Sequence, residues 1–380
     1  MPRILIPIEV ASGETRVAAT PETVKKLRSI GFVVSIEKGA GSSAGFLDES
    51  YLNVGAGIFS EEDGDSLKEI DVVLCVNCPE VEFLKKLKPS ALVIGLLAPY
   101  GNNSLATCLE SAGLSALSLE LLPRISRAQS ADVLSSQANI AGYKSVLLGA
   151  SALDRYFPML MTAAGTVQPA KVVVLGAGVA GLQAIATAKR LGAVVYVSDI
   201  RQEVKEQVES LGARFIEPPE IAEERTEAGG YARQVSEAFL EAQKKQLLEQ
   251  LSEADVAICT AQVPGKKAPR LIDEEMLDGM RPGSVVVDLA VSQGGNCAGT
   301  KPGEIIFRNG VKLIGASDLP CTVPNHASAL YARNLLSLIT PLIKQGELIL
   351  NTDDELIDGS LISKDGVIRH AQLMNLGGSK

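Results

Sequence analysis

Along most of the chain, short β-branched runs alternate with stretches of helical period, the pattern of α/β domains built on parallel sheets. Arg3–Ile8, Phe32–Glu37, Asp71–Val76, Ala91–Leu97 and Leu114–Leu117 have strand character. Pro21–Ser29, Val81–Leu87 and Ser104–Ala112, lying among them, read as helices. A long helix over Ser135–Tyr156 leads to a second set of strands, Lys171–Leu175, Val194–Ser198, Val256–Thr260, Ser284–Leu289 and Lys312–Ile314. Gln234–Leu251 carries Val235, Ala238, Phe239, Ala242, Leu247, Leu248 and Leu251 on one apolar helical stripe. The apolar helical segment His326–Gln345, with Pro341 near its end, is expected to lead back to the first domain. The pattern predicts two Rossmann-like α/β domains with parallel sheets, joined by long helices around a cleft. One is discontinuous, 1–134 plus 326–380, and the other is 135–325. The tail from Leu348 onward, with its Asp-Gly turns, reads as a small irregular cap.

Composition narrows the class. A chain of 380 residues, 46% apolar, suits two domains with substantial cores. No apolar run approaches the roughly 18 residues of a bilayer span. Met1-Pro2-Arg3 runs straight into a strand without a signal-peptide pattern. A net charge of −9, 4% aromatic residues and no Trp exclude a nucleic-acid surface, which needs a basic footprint and stacking rings. Acidity does not exclude a phosphorylated small ligand, because backbone N–H groups can hold phosphate. The 6 Cys lie mostly in apolar runs, as free thiols of a reducing cytoplasm do. Cys75 and Cys78 form a CxxC pair, read as two side chains near the end of a buried strand. A metal site would need more ligands, and the only His are His326 and His370.

The strongest chemical signal is the strand Lys171–Leu175 followed by Gly176-Ala177-Gly178-Val179-Ala180-Gly181 and a helix over Leu182–Leu191. Gly176 permits the tight turn, Gly178 lets a pyrophosphate approach the backbone, and Gly181 lets helix and strand pack closely. The phosphates then meet the positive end of the helix dipole. The next strand ends at Asp199, whose carboxylate can accept from adenosine ribose hydroxyls and repels a 2′-phosphate, so NAD(H) is favoured over NADP(H). Ile200, Arg201 and Gln262 join this cofactor-binding set, with Arg201 read as a solvated helix-start residue. A second glycine cluster, Gly39-Ala40-Gly41-Ser42-Ser43-Ala44-Gly45, is not followed by a long apolar helix and reads as a plain loop.

Together these residues resemble the family of alanine dehydrogenase and the NAD(H)-binding domain of transhydrogenase. The likeness covers nearly the whole chain, from Glu14-Thr15-Arg16 and Glu37-Lys38-Gly39-Ala40-Gly41 to Arg281-Pro282-Gly283-Ser284 and the stretch Asp288–Asn296. The segment Pro123–Tyr143 is its most specific part. Alanine dehydrogenases reduce an imine, which needs a proton donor and a cation for the substrate carboxylate. The resemblance implies a Lys for them in the strand ending here at Asn77 and a His in the strand ending here near Leu96. Asn77 and Leu96 stand at those positions, no His precedes His326, and Ser292 replaces an Asp. Arg16 remains and could alone only bind an anion.

The resemblance therefore implies the transhydrogenase branch. Direct hydride transfer between two nicotinamides moves no proton at the reacting carbons, so positioning is its main requirement. It puts Arg124, Gln129, Asp132 and Ser135 beside the NAD(H) nicotinamide and ribose; Asp132 or Ser135 can equally cap the long helix. The insertion Glu217–Val235 matches a mobile loop of that branch, with Tyr231 over the nucleotide; Val235 stands where some members have Met. The implied protein is the NAD(H) half of a Re/Si-specific, proton-translocating transhydrogenase. It would be a homodimer on the cytoplasmic face of a membrane, held there by an NADP(H)-binding subunit and membrane-spanning subunits. Two other readings stay open: a soluble amino-acid dehydrogenase, which turnover of an amino acid would reveal, and a non-catalytic NAD(H)-binding regulator, which would exchange hydride with no NADP(H)-loaded partner.

Overall fold

The computed structural model describes residues 1–60, 66–100, 102–218, 237–262 and 266–370. The chain folds as two compact units, one of Met1–Gln137 with Pro320–Lys380 and another of Ala138–Leu319.

The first unit opens with β1 (Arg3–Ile6), α1 (Pro21–Ser29), β2 (Val33–Glu37), α2 (Asp48–Asn53) and β3 (Gly57–Phe59). It continues with β4 (Val72–Asn77), α3 (Val81–Leu84), β5 (Leu92–Leu96), α4 (Asn103–Ala112) and β6 (Ser115–Ser118). Local chemistry starts the helices: Thr20 caps α1, accepting from Thr23 N at 3.4 Å while Thr23 Oγ1 accepts from Thr20 N at 2.9 Å. Pro21 then supplies a φ suited to the first helical position. The strands β1 to β6 pair in parallel, and β1, β4 and β5 bury apolar residues on both faces. Ile4, Ile6, Val72, Leu74 and Val76 face one core, while Leu5, Val73, Cys75 and Val93 face the other. The unit boundary falls inside α5 (Val133–Ala152), which ends before the expected Tyr156.

The second unit carries an exposed hairpin, β7 (Leu160–Thr162) and β8 (Gly165–Val167). Then come β9 (Lys171–Leu175), α6 (Val179–Arg190), β10 (Val194–Ser198), α7 (Lys205–Ser210) and β11 (Arg214–Phe215). They are followed by α8 (Glu237–Ser252), β12 (Val256–Cys259), α9 (Glu274–Asp278), β13 (Val285–Asp288), β14 (Ile305–Arg308) and β15 (Val311–Gly315). The sheet order β11-β10-β9-β12-β13-β15-β14 sends the chain from β9 outward to β10 and back across to β12. That reversal beside β9 is the switch point where open α/β sheets bind ligands. The edge strand β14 runs antiparallel, joined to β15 by Asn309 and Gly310 at φ 47° and 81°. An Asn-Gly pair with both φ positive makes a tight hairpin, a signal the parallel-sheet expectation passed over.

The C-terminal part contains α10 (Pro324–Ile339), β16 (Ile343–Lys344), β17 (Glu347–Leu348), α11 (Glu355–Ser360), β18 (Leu361–Lys364) and β19 (Val367–Ile368). The expected irregular cap is instead part of the first sheet, where β18 pairs antiparallel with β6 and β19 with β18. Leu361, Ile362 and Ser363 are buried, which a surface cap would not require. Helix α10 stops short of Gln345 because Pro341 starts a 3-10 turn over Thr340–Leu342. Among the described residues, no helix is long and apolar enough to cross a membrane.

Candidate functional site

The glycine turn after β9 assigns each glycine a separate task. Gly176 has φ 102°, and a Cβ there would stand 2.8 Å from Thr260 Oγ1. A Cβ on Gly181 would stand 1.9 Å from Gly176 O, so only glycine fits. A Cβ on Gly178 would meet nothing within 4 Å, so that face of the turn is open to whatever approaches it. No side chain caps α6 at Gly178, which leaves the first-turn N–H groups for an anion. Val179 is exposed and Ala180 half-buried. Behind them α5 packs backbone to backbone: a Cβ on Gly142 would stand 2.1 Å from Ala180 O. Sequence reasoning missed Gly142, whose only signal is a glycine within a helical pattern.

Asp199 follows β10, and its carboxylate is tied to the glycine turn by a 2.7 Å bond from Ala177 N. Arg201 is exposed at the start of a 3-10 turn over Gln202–Val204, as expected, but it is also paired with Asp199. Its N and Nε donate to Asp199 Oδ1 at 2.9 and 3.0 Å, and Nη2 donates to Oδ2 at 3.0 Å. The short Asp-Ile-Arg spacing bends the guanidinium back onto the acid, with Ile200 left exposed between them. Burial works to raise the Asp199 carboxyl, but hydrogen bonds from Arg201 and Ala177 outweigh it and hold it below its ordinary value. Gln262 Nε2 donates to Leu289 O at 2.7 Å, tying the segment after β12 to the end of β13. Tyr231, Val235 and most of the insertion around them lie outside the described residues.

In the first unit, Arg124 and Gln129 are exposed, and neither side chain has a hydrogen-bond partner among the described residues. Both are free to meet a ligand. Asp132 caps α5, accepting from Ser135 N at 2.9 Å and from Ser135 Oγ at 2.6 Å. The acid thus holds Ser135 rather than Arg124. Three supports of this loop escaped sequence reasoning because they come from far along the chain. Asn334 of α10 donates to Ser130 O at 2.8 Å and accepts from Ser136 Oγ at 2.7 Å. Asp354, the cap of α11, pairs with Arg127. Gly359 lies against Pro123, where a Cβ would stand 3.2 Å from its ring.

Arg16 is buried, with three of its side-chain N–H groups bonded. Its Nε and Nη2 fork onto Glu14 at 2.8 and 2.7 Å, and Nη1 donates to Gln137 at 3.0 Å. Its charge is thus already paired with a carboxylate of the chain. Burial works to raise the Glu14 carboxyl, yet the Arg16 bonds lower it to about 2. Asn77 Nδ2 bridges Glu14 at 2.8 Å and Glu9 at 3.2 Å, and Glu9 also accepts from Val76 N and Asn77 N. Leu96 packs against the core. In the second glycine cluster, the Asp48 carboxylate accepts from Gly39 N at 3.0 Å, so the loop is closed by its own side chain. Cys75 and Cys78 are free thiols, and among the described residues no cluster of His, Cys, Asp or Glu is arranged around a metal.

The two sheets and the glycine turn at the switch point define an α/β protein of the Rossmann type. The chain belongs to the alanine dehydrogenase/PNT family: the model of that family's N-terminal domain matches residues 5–141 and that of its C-terminal domain residues 145–371. Over 383 residues it is 46% identical to the first portion of the alpha subunit of NAD(P) transhydrogenase from Rhodospirillum rubrum, covering 99% of this chain and 100% of that protein. The solved structure of transhydrogenase from Sinorhizobium meliloti superposes with a TM-score of 0.88 at 42% identity, covering 97% of this chain and 100% of that one. An L-alanine dehydrogenase structure superposes with a TM-score of 0.82 at 28% identity, covering 99% of both chains.

Proposed function

We propose that this chain is the NAD(H)-binding component of a proton-translocating transhydrogenase. It would exchange hydride between NAD(H) held here and NADP(H) held by a partner subunit. The observation that carries the reading is the glycine turn, open at Gly178 and backed by Asp199. Greater identity to a transhydrogenase subunit than to alanine dehydrogenase supports the choice of branch.

The dinucleotide supplies the chemistry: a hydride leaves or joins its nicotinamide ring with both electrons, and no proton is exchanged at the reacting carbons. The protein has to bind and orient. The first-turn N–H groups of α6 hold the pyrophosphate, and Asp199 accepts from the adenosine ribose hydroxyls. Arg124 and Gln129, both unpaired, orient the carboxamide of the nicotinamide. Asp132 and Ser135, locked to each other, present a fixed edge to its ribose. Where the dehydrogenases of the family are expected to use Lys and His, this chain has Asn77, bonded to two carboxylates, and Leu96, half-buried against the core. Neither can deliver a proton to an imine, which disfavours an amino-acid substrate.

Further features of the reading follow from the family. The working protein is a homodimer, bound at the cytoplasmic face of a membrane through an NADP(H)-binding subunit and membrane-spanning subunits that carry the protons. The cofactor-binding set is Gly176, Gly178, Val179, Ala180, Gly181, Asp199, Ile200, Arg201, Tyr231 and Gln262. The test mixes the purified chain, NADH and an NADP⁺-loaded transhydrogenase partner, and reads NADPH by chromatography. NADPH is expected only with both proteins present. Reduction of NAD⁺ by L-alanine without the partner would overturn the reading in favour of a dehydrogenase.

A further inference from the structure

We infer that Arg201 is a latent site for a ribose 2′-phosphate, kept shut by Asp199. The inference rests on the proposed reading of the glycine turn as a nucleotide site.

A guanidinium grips an oxyanion best along the edge formed by Nε–H and one Nη–H, which matches the spacing of two oxygens in a carboxylate or a phosphate. Arg201 turns that edge onto Asp199, with Nε on Oδ1 and Nη2 on Oδ2, each at 3.0 Å. Each carboxylate oxygen takes a second bond from the backbone, Oδ1 from Arg201 N at 2.9 Å and Oδ2 from Ala177 N at 2.7 Å. The acid is thus fixed from behind by the glycine turn and the arginine closes it in front. Their side chains are 6% and 47% exposed, so the arginine stands on the solvent side. An ion pair with one partner this exposed adds little to stability. Its larger consequence concerns what can bind beside it.

A ribose 2′-hydroxyl is a neutral donor and can take the place of one Arg201 bond on the carboxylate. A 2′-phosphate brings negative charge against Asp199 and finds the guanidinium edge already taken. Selectivity against 2′-phosphate then has two components, repulsion by the acid and withholding of the arginine. Both depend on the Asp199 charge. Asp199→Asn keeps an oxygen to accept from Ala177 N but removes the charge that holds the fork, so it should do more than weaken binding of the unphosphorylated ribose. It should create affinity for 2′-phosphate, and that affinity should belong to Arg201.

The experiment is a double-mutant cycle on the full chain: wild type, Asp199→Asn, Arg201→Ala and the double variant. Each is titrated calorimetrically with 5′-ADP and with 2′,5′-ADP. We expect 2′,5′-ADP to bind Asp199→Asn about tenfold or more tighter than wild type, and the gain to vanish in the double variant. Arg201→Ala alone should keep the preference for 5′-ADP. A gain that persists without Arg201 would overturn the inference, as would no gain in an Asp199→Asn variant that melts normally and still binds 5′-ADP. Asp199→Ser serves as a second charge-removing variant should Asp199→Asn fail to fold, with the same gain expected and its absence equally fatal. If the wild type binds neither nucleotide, the glycine turn is not a nucleotide site, and the proposed function falls together with this inference.

Discussion

The two units carry sheets of the same kind, yet the turn after β9 in the second differs from strand ends of the first in what its backbone amides meet. In the first unit, side-chain carboxylates of the chain take strand-end amides. Asp48 accepts from Gly39 N beyond β2, Glu9 from Val76 N and Asn77 N at the end of β4, and Glu120 from Leu97 N and Ala98 N beyond β5. In the second unit, the turn after β9 commits only Ala177 N to a side chain, while Gly178 opens to free space and α6 starts without a side-chain cap. A strand end that supplies its own carboxylates has no need of an anionic ligand, whereas one that leaves helix N–H groups unfilled does. Parallel sheets alone therefore do not mark a nucleotide site.

The contrast can be broken most severely at Gly181. Gly181→Ala forces a Cβ against Gly176 O, so the turn must shift; we expect about 3 kcal/mol of lost stability and no measurable NADH binding, read by thermal melts and calorimetry. Gly178→Ala should leave stability within about 0.5 kcal/mol and weaken NADH about tenfold, since its Cβ meets only the ligand. Equal effects of the two substitutions would erase the distinction between packing and binding glycines.

In the self-filled unit, Glu14→Gln strands the buried Arg16 charge and should cost about 3 kcal/mol. It also carries a pH signature. The Glu14 carboxyl lies at about 2 in the folded chain against 4.5 ordinarily, so it favours folding above pH 4.5. That contribution is lost as pH falls from there toward 2. Acid unfolding curves of wild type and Glu14→Gln should converge over that window; a gap that stays constant would contradict the assignment.

Asn334→Leu tests the support of the loop bearing Arg124 and Gln129. Its two hydrogen bonds fix Ser130 and Ser136, so hydride transfer with a partner should slow about tenfold while NADH affinity changes less than about twofold. A parallel loss of binding and transfer would mean that Asn334 merely stabilises the unit. The smallest effect is expected from Arg127→Ala, which removes an exposed ion pair with Asp354 worth roughly 0–1 kcal/mol. Transfer should then change less than about twofold.

Much of this was legible in the sequence because it depends on neighbours in the chain. The limits of β9 and β10, the roles of Gly176 and Gly181, and the cap by Asp132 are set within a few residues. The fork between Asp199 and Arg201 was within reach too, at a spacing of two, but the partner of an exposed arginine shows only in its rotamer. What stayed hidden joins distant segments. Asn334 reaches back across the chain to Ser130 and Ser136, and Gly142 matters only because Ala180 lies against it. The tail was misread because β18 and β19 are too short for a periodic signal and gain their order by pairing with β6.

The most direct test follows the transferred hydrogen. NADH carrying deuterium at the reactive face of C4 is bound to this chain and mixed with an NADP⁺-loaded partner, and the product is analysed by mass spectrometry. The account predicts that the label appears at C4 of NADPH and none in water. Label lost to solvent, or NADPH formed without deuterium, would contradict direct transfer from a nucleotide held by this chain.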